Sequence, residues 1–243
     1  MNAKIYLNVP YSEKDQAKSL GARWDVKIRK WYFEGAINQF PKFEKWILDG
    51  CKQALIVFER FHIIEARRTC FKCTNKTRVI GFGIGEHSLL MDNRDDVYSD
   101  NLDDSPEMNG EIYLAWSVEE QEIPPLLLSY IKSEYNVKTG YSSVVGKCFA
   151  NHCDYCGVIQ GNNYLFDEDS PLNTMTPIEE ELIKRMSELK IYNVHIDVAL
   201  PLRWQYGYCS NDWAYFAYCK NIEDLVLPGT ENMYVTYSEM FAL

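Results

Sequence analysis

Two pairs of cysteines with a two-residue spacer limit what this chain can fold into more than any other feature. They are Cys70-Phe71-Lys72-Cys73 and Cys153-Asp154-Tyr155-Cys156. A two-residue spacer lets one tight turn aim both thiolates at a single ion, and two such knuckles complete a tetrahedral thiolate site. The flanks are β-rich on both sides: residues 54–64 and 77–84 around the first pair, 141–149 and 158–166 around the second. Strand, knuckle, strand is the layout of a zinc ribbon. A structural Zn2+ held by Cys70, Cys73, Cys153 and Cys156 is therefore expected. The 79 residues between the knuckles demand an insertion held at its base by the metal. Four thiolates close the coordination sphere, so such an ion leaves no position for a substrate. Cys148 and His152 lie near enough to Cys153 to be alternative ligands. A redox dithiol is the rival reading, but it prefers a helix N-terminus in a βαβ setting, and neither pair has one. Gly157 follows the second knuckle directly, where positive φ is often needed.

Eight cysteines would suggest disulfides in an exported domain. The opening MNAKIYLNVPYSEKD has no apolar stretch of the kind a secretion signal needs, so a reduced cytoplasmic setting is expected. No apolar run approaches the ~18 residues that span a bilayer; residues 123–131 come nearest and contain two prolines. The 243 residues suit one large domain or two smaller ones, and a 47% hydrophobic composition excludes wholesale disorder. A net charge of −10 prevents the surface as a whole from serving as a nonspecific cation for nucleic acid or acidic lipid. That charge is polarised. Residues 1–50 hold nine Lys/Arg and six Asp/Glu, a net of +3, while residues 51–243 hold 16 against 29, a net of −13.

The division of charge suggests a small basic α+β module at 1–50 on an acidic α+β domain at 51–243, the latter mostly antiparallel and containing the ribbon. In the module, residues 5–9 alternate as a strand. Ser12 is the expected N-cap of a helix with Asp15 at its third position, running to Leu20 and stopped by Gly21. Lys30 to Phe33 reads as a second strand. Residues 40–48 read as a second helix with Phe43, Trp46 and Ile47 on one face. In the body, residues 91–111 are acid-rich with little apolar pattern and read as a long solvated loop. Residues 111–117 read as a strand, and Pro124-Pro125 opens a helix to about Glu134. Thr176-Pro177-Ile178-Glu179 is a capping box for a helix to about Leu189. Residues 192–200 alternate, with Val194, Ile196 and Val198 on one face and His195 and Asp197 on the other. An aromatic tail from Trp204 to Tyr218, which includes Tyr206, Tyr208 and Trp213, reads as core.

Within the module, Tyr6-Leu7-Asn8-Val9-Pro10-Tyr11, Leu20-Gly21-Ala22-Arg23-Trp24-Asp25 and Lys30-Trp31-Tyr32 resemble the family catalogued as domain of unknown function 5710. The likeness runs from Ile5 to about Leu48, a fifth of the chain. The resemblance implies a bacterial, cytoplasmic protein near the DNA metabolism of mobile genetic elements, because such modules occur on plasmid-type primases. It implies no activity, and the carboxylate motifs of a polymerising primase are not visible in the body.

Arg23, Lys27, Arg29 and Lys30 are interleaved with Trp24 and Trp31, a pattern suited to single-stranded nucleic acid, where phosphates meet cations and bases stack. The competing reading makes both tryptophans the core that a unit of this size needs. Three functions remain open. The first is a non-enzymatic zinc protein whose module engages nucleic acid weakly. The second is an interaction factor, of immunity, inhibitor or anti-defence type, that meets a protein partner through its acidic body. The third is a hydrolase-like enzyme built on His195, Asp197 and Cys209. No membrane role is expected. Gly81, Gly83 and Gly85 lack the spacing of a phosphate loop and read as a bent or bulged strand.

Overall fold

A computed structural model describes the chain except for residues 85–86, 93–106, 110–113, 118, 168–169, 175–176, 204, 208–210 and 242–243. The N-terminal segment forms strand β1 (Asn2–Leu7), helix α1 (Lys14–Ser19), β2 (Arg23–Asp25), β3 (Lys30–Ala36) and helix α2 (Glu44–Leu48). Its strands make an antiparallel sheet in the order β1-β3-β2. Ser12 is not the helix cap. A 3-10 turn over Tyr11–Glu13 leads into α1, with Glu13 at the cap position and no side-chain cap bond. The Glu13 carboxylate instead accepts from Trp46 Nε1 at 2.7 Å and meets Lys45 Nζ at 2.8 Å, tying α1 to α2. Gly21, at φ 100°, stops the helix as its sequence position predicts. The helix expected over 40–48 is split. Residues Ile37–Phe43 form a 3-10 stretch containing Pro41, whose missing N–H keeps α2 from extending backwards. Phe43, Trp46 and Ile47 are buried together as anticipated.

The body begins with β4 (Gln53–Val57), β5 (Arg60–Thr69), β6 (Lys76–Ile84) and β7 (His87–Asp92), followed by β8 (Glu107–Asn109) and β9 (Leu114–Ser117). Helix α3 (Pro125–Glu134) starts at the second proline of its pair. Next come β10 (Val137–Ser142), β11 (Gly146–His152), β12 (Ile159–Gln160), α4 (Asn163–Phe166) and α5 (Glu180–Ser187). The chain finishes with β13 (Lys190–Ile196), β14 (Leu200–Leu202), β15 (Gln205–Gly207), α6 (Ala214–Tyr218), β16 (Asn221–Asp224), β17 (Tyr234–Val235) and α7 (Tyr237–Phe241). Pairing is mostly antiparallel, with β16 and β17 running parallel to β13, so the α+β expectation holds.

The structure refines four sequence readings. The apolar run 54–64 is two strands in two sheets, turned at Glu59 with φ 60°. Because residues 54–58 are buried on both faces, their periodicity carries no sign of the break. The run 141–149 is a hairpin, β10 and β11, pivoting on Gly146 at φ 78°. The run 158–166 is a short strand followed by helix α4. Gly81 and Gly83 mark no bulge, since the β5–β6 register is unbroken from Phe61↔Ile84 to Thr69↔Lys76, and Gly85 lies outside the described residues. A Cβ at Gly81 would lie 2.7 Å from Leu172 Cδ1, so close packing is what requires glycine there. Thr176, Trp204, Tyr208 and most of the acidic stretch 91–111 lie outside the described residues.

The layers follow from side-chain alternation. On β5, Phe61 and Ile63 face a core shared with Leu55 and Val57 of β4, Val194 of β13 and Leu127 and Ile131 of α3. Ile64 and Ala66 face the opposite way, toward Phe166, Leu182, Met186 and Tyr215. Strand β4 is likewise two-faced: Ala54, Ile56 and Phe58 join Ile5, Leu7, Phe33, Phe40, Phe43 and Trp46 of the N-terminal segment in a third apolar cluster. Ala199 N–H also donates to Lys4 O at 2.8 Å. Residues on both sides of position 50 thus share one continuous core.

Candidate metal centre and nucleic-acid interface

Strands β5 and β6 flank the first knuckle and β11 and β12 the second, and both knuckles use the same backbone device. Thr74 N–H donates to Cys70 O and Gly157 N–H to Cys153 O, each at 3.0 Å. Cys70 N–H donates to Asn75 O at 2.9 Å, and Cys153 N–H to Val158 O at 2.8 Å. Closing these turns puts the fourth residue after each leading cysteine in the left-handed region, Thr74 at φ 60° and Gly157 at φ 69°. Open space surrounds a Cβ at Gly157, so only backbone strain opposes a side chain there. Gly157→Ala is expected to cost about 1 kcal/mol, read as a shift in the denaturant midpoint of the metal-loaded chain.

The knuckles bring Cys70, Cys73, Cys153 and Cys156 together, all four sulfurs lying within 4.8 Å of one another. Cys70 Sγ is 3.7 Å from Cys156 Sγ, and Cys73 Sγ is 3.6 Å from Cys153 Sγ. These separations are far longer than a disulfide's ~2.05 Å. They match the ~3.8 Å edge of a tetrahedron whose corners lie ~2.3 Å from a central ion. Donors already point at the sulfurs: Gln160 Nε2 at Cys70, Asn75 Nδ2 at Cys73 and Tyr155 N–H at Cys153. Burial pushes the Cys70 thiol up, but the backbone N–H groups of Cys73 and Lys72 outweigh it and bring the group to about 6. The Val158 N–H favours a Cys156 thiolate, yet burial and the thiols beside it push that group up to about 11. Four thiols this close shed their protons together only when a cation shares their charge. The arrangement fits a soft, four-coordinate metal ion. Neither His152, whose Nδ1 lies 2.9 Å from Ala150 O, nor Cys148 brings a ligand atom into this cluster.

Contacts beyond the sulfurs hold the knuckles in register. Asn151 exchanges two hydrogen bonds with the Ile80 backbone, donating at 2.9 Å and accepting at 2.8 Å. Asp154 N–H donates to Thr77 Oγ1 at 2.9 Å, and its carboxylate accepts from Arg78 N–H at 3.1 Å.

The hairpin joining β2 to β3 carries the predicted nucleic-acid residues. Asp25 Oδ1 accepts from the N–H groups of Lys27 and Ile28 at 2.9 and 3.0 Å, and Arg29 completes the turn at φ 57°. The Ile28 N–H and the Tyr6 hydroxyl, the latter 2.8 Å from Oδ2, hold the Asp25 carboxyl down at about 2. Arg23, Lys27 and Arg29 are exposed, and Trp24 is 49% exposed with its ring 5.7 Å from Trp31 in an edge-on contact. Trp31 is half-buried against the N-terminal core. Lys30 points elsewhere: its ammonium donates to the Tyr237 hydroxyl at 3.0 Å. The six residues therefore separate into four in solvent, one packed and one committed to α7.

The expected His195–Asp197 pair does not form. Strand β13 ends at Ile196, so the two-residue alternation that would align them stops there. His195 Nε2 lies 2.9 Å from Asp224 Oδ1, while Asp197 Oδ1 accepts from Tyr237 N–H at 2.9 Å. Cys209 lies outside the described residues. Sequence reading missed a polar row that crosses the sheet beside His195. Asp224 accepts from Asn193 at 3.2 Å, and Asn193 Oδ1 lies 2.8 Å from Nδ1 of the buried His62. Sequence offers no signal for it, because its members come from three separated strands.

The comparisons concern the N-terminal segment alone. Residues 4–47 match the family model described as Domain of unknown function (DUF5710), as the resemblance implied. Two Escherichia coli proteins named DNA primase TraC are similar to this chain, one 46% identical over 52 residues and the other 56% identical over 41. The aligned stretches cover 21% and 17% of this chain but only 5% and 3% of those proteins, so the chain matches a small part of their length. No solved structure matches. Among the described residues, no helix is long and apolar enough to cross a membrane.

Proposed function

We propose that the chain is a non-enzymatic zinc protein of bacterial or mobile-element DNA metabolism, cytoplasmic, whose N-terminal module contacts single-stranded nucleic acid through the β2–β3 hairpin. The observation that carries this reading is the display of Arg23, Trp24, Lys27 and Arg29 in solvent on one hairpin. Among the described residues the three cations enter no ion pair, so their charge is available to phosphate. The module's likeness to segments of proteins named DNA primase supports the same setting. Zinc is the ion best suited to four thiolates in a tetrahedral, closed set. Its contribution there is structural: it cross-links the β5–β6 and β11–β12 arms.

Affinity through the hairpin is modest. Three phosphate contacts on a single strand give a salt slope of about −2, and the acidic body opposes approach. The test is a titration of the full, metal-loaded chain with labelled single-stranded and duplex DNA and RNA at two salt concentrations. The double variant Arg23→Glu with Arg29→Glu is expected to weaken single-strand binding at least about tenfold and to flatten the salt dependence. Unchanged affinity in that variant overturns the reading.

A further inference from the structure

We propose that the outer face of the first cysteine knuckle is a second, independent binding surface for single-stranded nucleic acid. The acidic average of the body conceals it. Residues 66–78 hold five cations (Arg67, Arg68, Lys72, Lys76 and Arg78) and no acidic residue. The other residues of 51–243 hold 11 Lys/Arg against 29 Asp/Glu. Arg68 is spent in part on the Thr69 and Tyr164 carbonyls, and Arg78 is consumed by the fold. Its guanidinium donates to Glu134 O at 2.8 Å, lies 3.7 Å from the Asp154 carboxylate and covers the Tyr135 ring at 5.2 Å. Arg67, Lys72 and Lys76 are exposed and Arg68 is half-exposed. Among the described residues these four enter no ion pair. Arg67 stands directly opposite Arg78 across the β5–β6 ladder. The Asp154 carboxylate beside Arg78 already offsets part of this like-charge pairing.

Aromatic rings sit beside Arg68 and belong to none of the apolar clusters among the described residues. Phe71, 51% exposed, stacks on Tyr164, 45% exposed, with centroids 5.1 Å apart and planes 22° from parallel. Arg68 lies 4.8 Å from the centre of the Tyr164 ring and also donates to the Tyr164 carbonyl. Tyr155, 67% exposed, extends from the second knuckle. The backbone beneath both rings is hydrogen-bonded, Thr74 N–H to Cys70 O in the knuckle and Tyr164 N–H to Gly161 O at the start of α4. Exposed rings bordered by unpaired cations are what a single strand requires: faces for unstacked bases and charges for the intervening phosphates. Geometry and charge also select this partner. A broad anionic surface such as a lipid bilayer would meet the acidic remainder of the body. A narrow strand can meet the knuckle's cations without touching the acidic remainder, with charges beyond ~8 Å largely screened at physiological salt.

The surface shares no residue with the β2–β3 hairpin, so the two can be separated in one experiment. The full, metal-loaded chain is titrated with labelled oligothymidylate and oligouridylate, and with heparin as a polyanion without bases. Phe71→Ala is expected to weaken binding of at least one oligonucleotide about tenfold while leaving heparin unchanged. Lys72→Glu with Lys76→Glu is expected to lower the salt slope by about one or more. Both variants alter exposed side chains, and unchanged metal stoichiometry reports that the knuckles remain formed. Oligonucleotide binding that survives both variants at wild-type strength overturns the proposal, whatever Arg23→Glu with Arg29→Glu does. So does a Phe71→Ala loss equally large for heparin.

Discussion

Stripping the metal from the full chain with a chelator is expected to release the β10–β12 arm while the N-terminal core keeps its protection. The distribution of the cores confines the effect to that arm. The four cysteines belong to the junction of β5–β6 with β11–β12, and the cluster around Ile5, Phe40 and Trp46 contains none of them. Strands β10 to β12 form a separate three-stranded sheet. It is joined to the rest mainly by Val137 and Phe149 in the central core and by the Asn151, Asp154 and Asn136 hydrogen bonds. Structural zinc contributes roughly 10 kcal/mol or more in isolated finger peptides, comparable with the whole stability of a typical domain. A smaller share is expected here, because the side-chain bonds position the knuckles without it. Amide exchange in chelator should rise over residues 137–160 and at the start of β6, with β1 and β3 unaffected. Cys73→Ser should give the same map. Uniform loss of protection across the chain would show instead that the metal supports a single cooperative unit.

Acid should destabilise the chain between pH 6.5 and about 4 through one buried histidine. His62 is 1% exposed, on the face of the sheet where Phe216 covers it. Burial lowers its pKa from 6.5 to about 4; the bond to Asn193 works the other way, and Arg60 and His195 add to the lowering. The folded chain therefore keeps this ring neutral where the unfolded chain would take up a proton. Stability falls as pH drops below 6.5 and the fall ends near pH 4, with a total of about 3 kcal/mol at 1.36 kcal/mol per pKa unit. Urea midpoints measured across this range should decline in the native chain and flatten in His62→Gln, which can still meet Asn193 but does not titrate. Parallel curves for the two chains would remove His62 as the cause, whatever their offset.

The cluster of four cysteines was legible because its information is local. A two-residue spacer is enough to form a knuckle turn, and strand-forming flanks need only neighbouring residues. Helix α3 was legible for the same reason, its start being written in Pro124-Pro125. The hairpin of Arg23, Trp24 and Arg29 was visible as a pattern, but the withdrawal of Lys30 to Tyr237 joins residues 207 positions apart. The cations of the first knuckle were missed through averaging: five charges in 66–78 vanish in a body of net −13.

Sequence by itself determined the four clustered cysteines, the basic N-terminal segment and the α+β class, since spacing and local composition act over a few residues. Tertiary structure alone decided which strand meets which. It turned 54–64 at Glu59 into two sheets and gave His195 to Asp224 rather than Asp197. It also stacked Tyr164 on Phe71, 93 residues away in the chain. Partners at such separations are selected by the burial of whole apolar faces against one another, and that free energy has no counterpart in any short stretch of sequence.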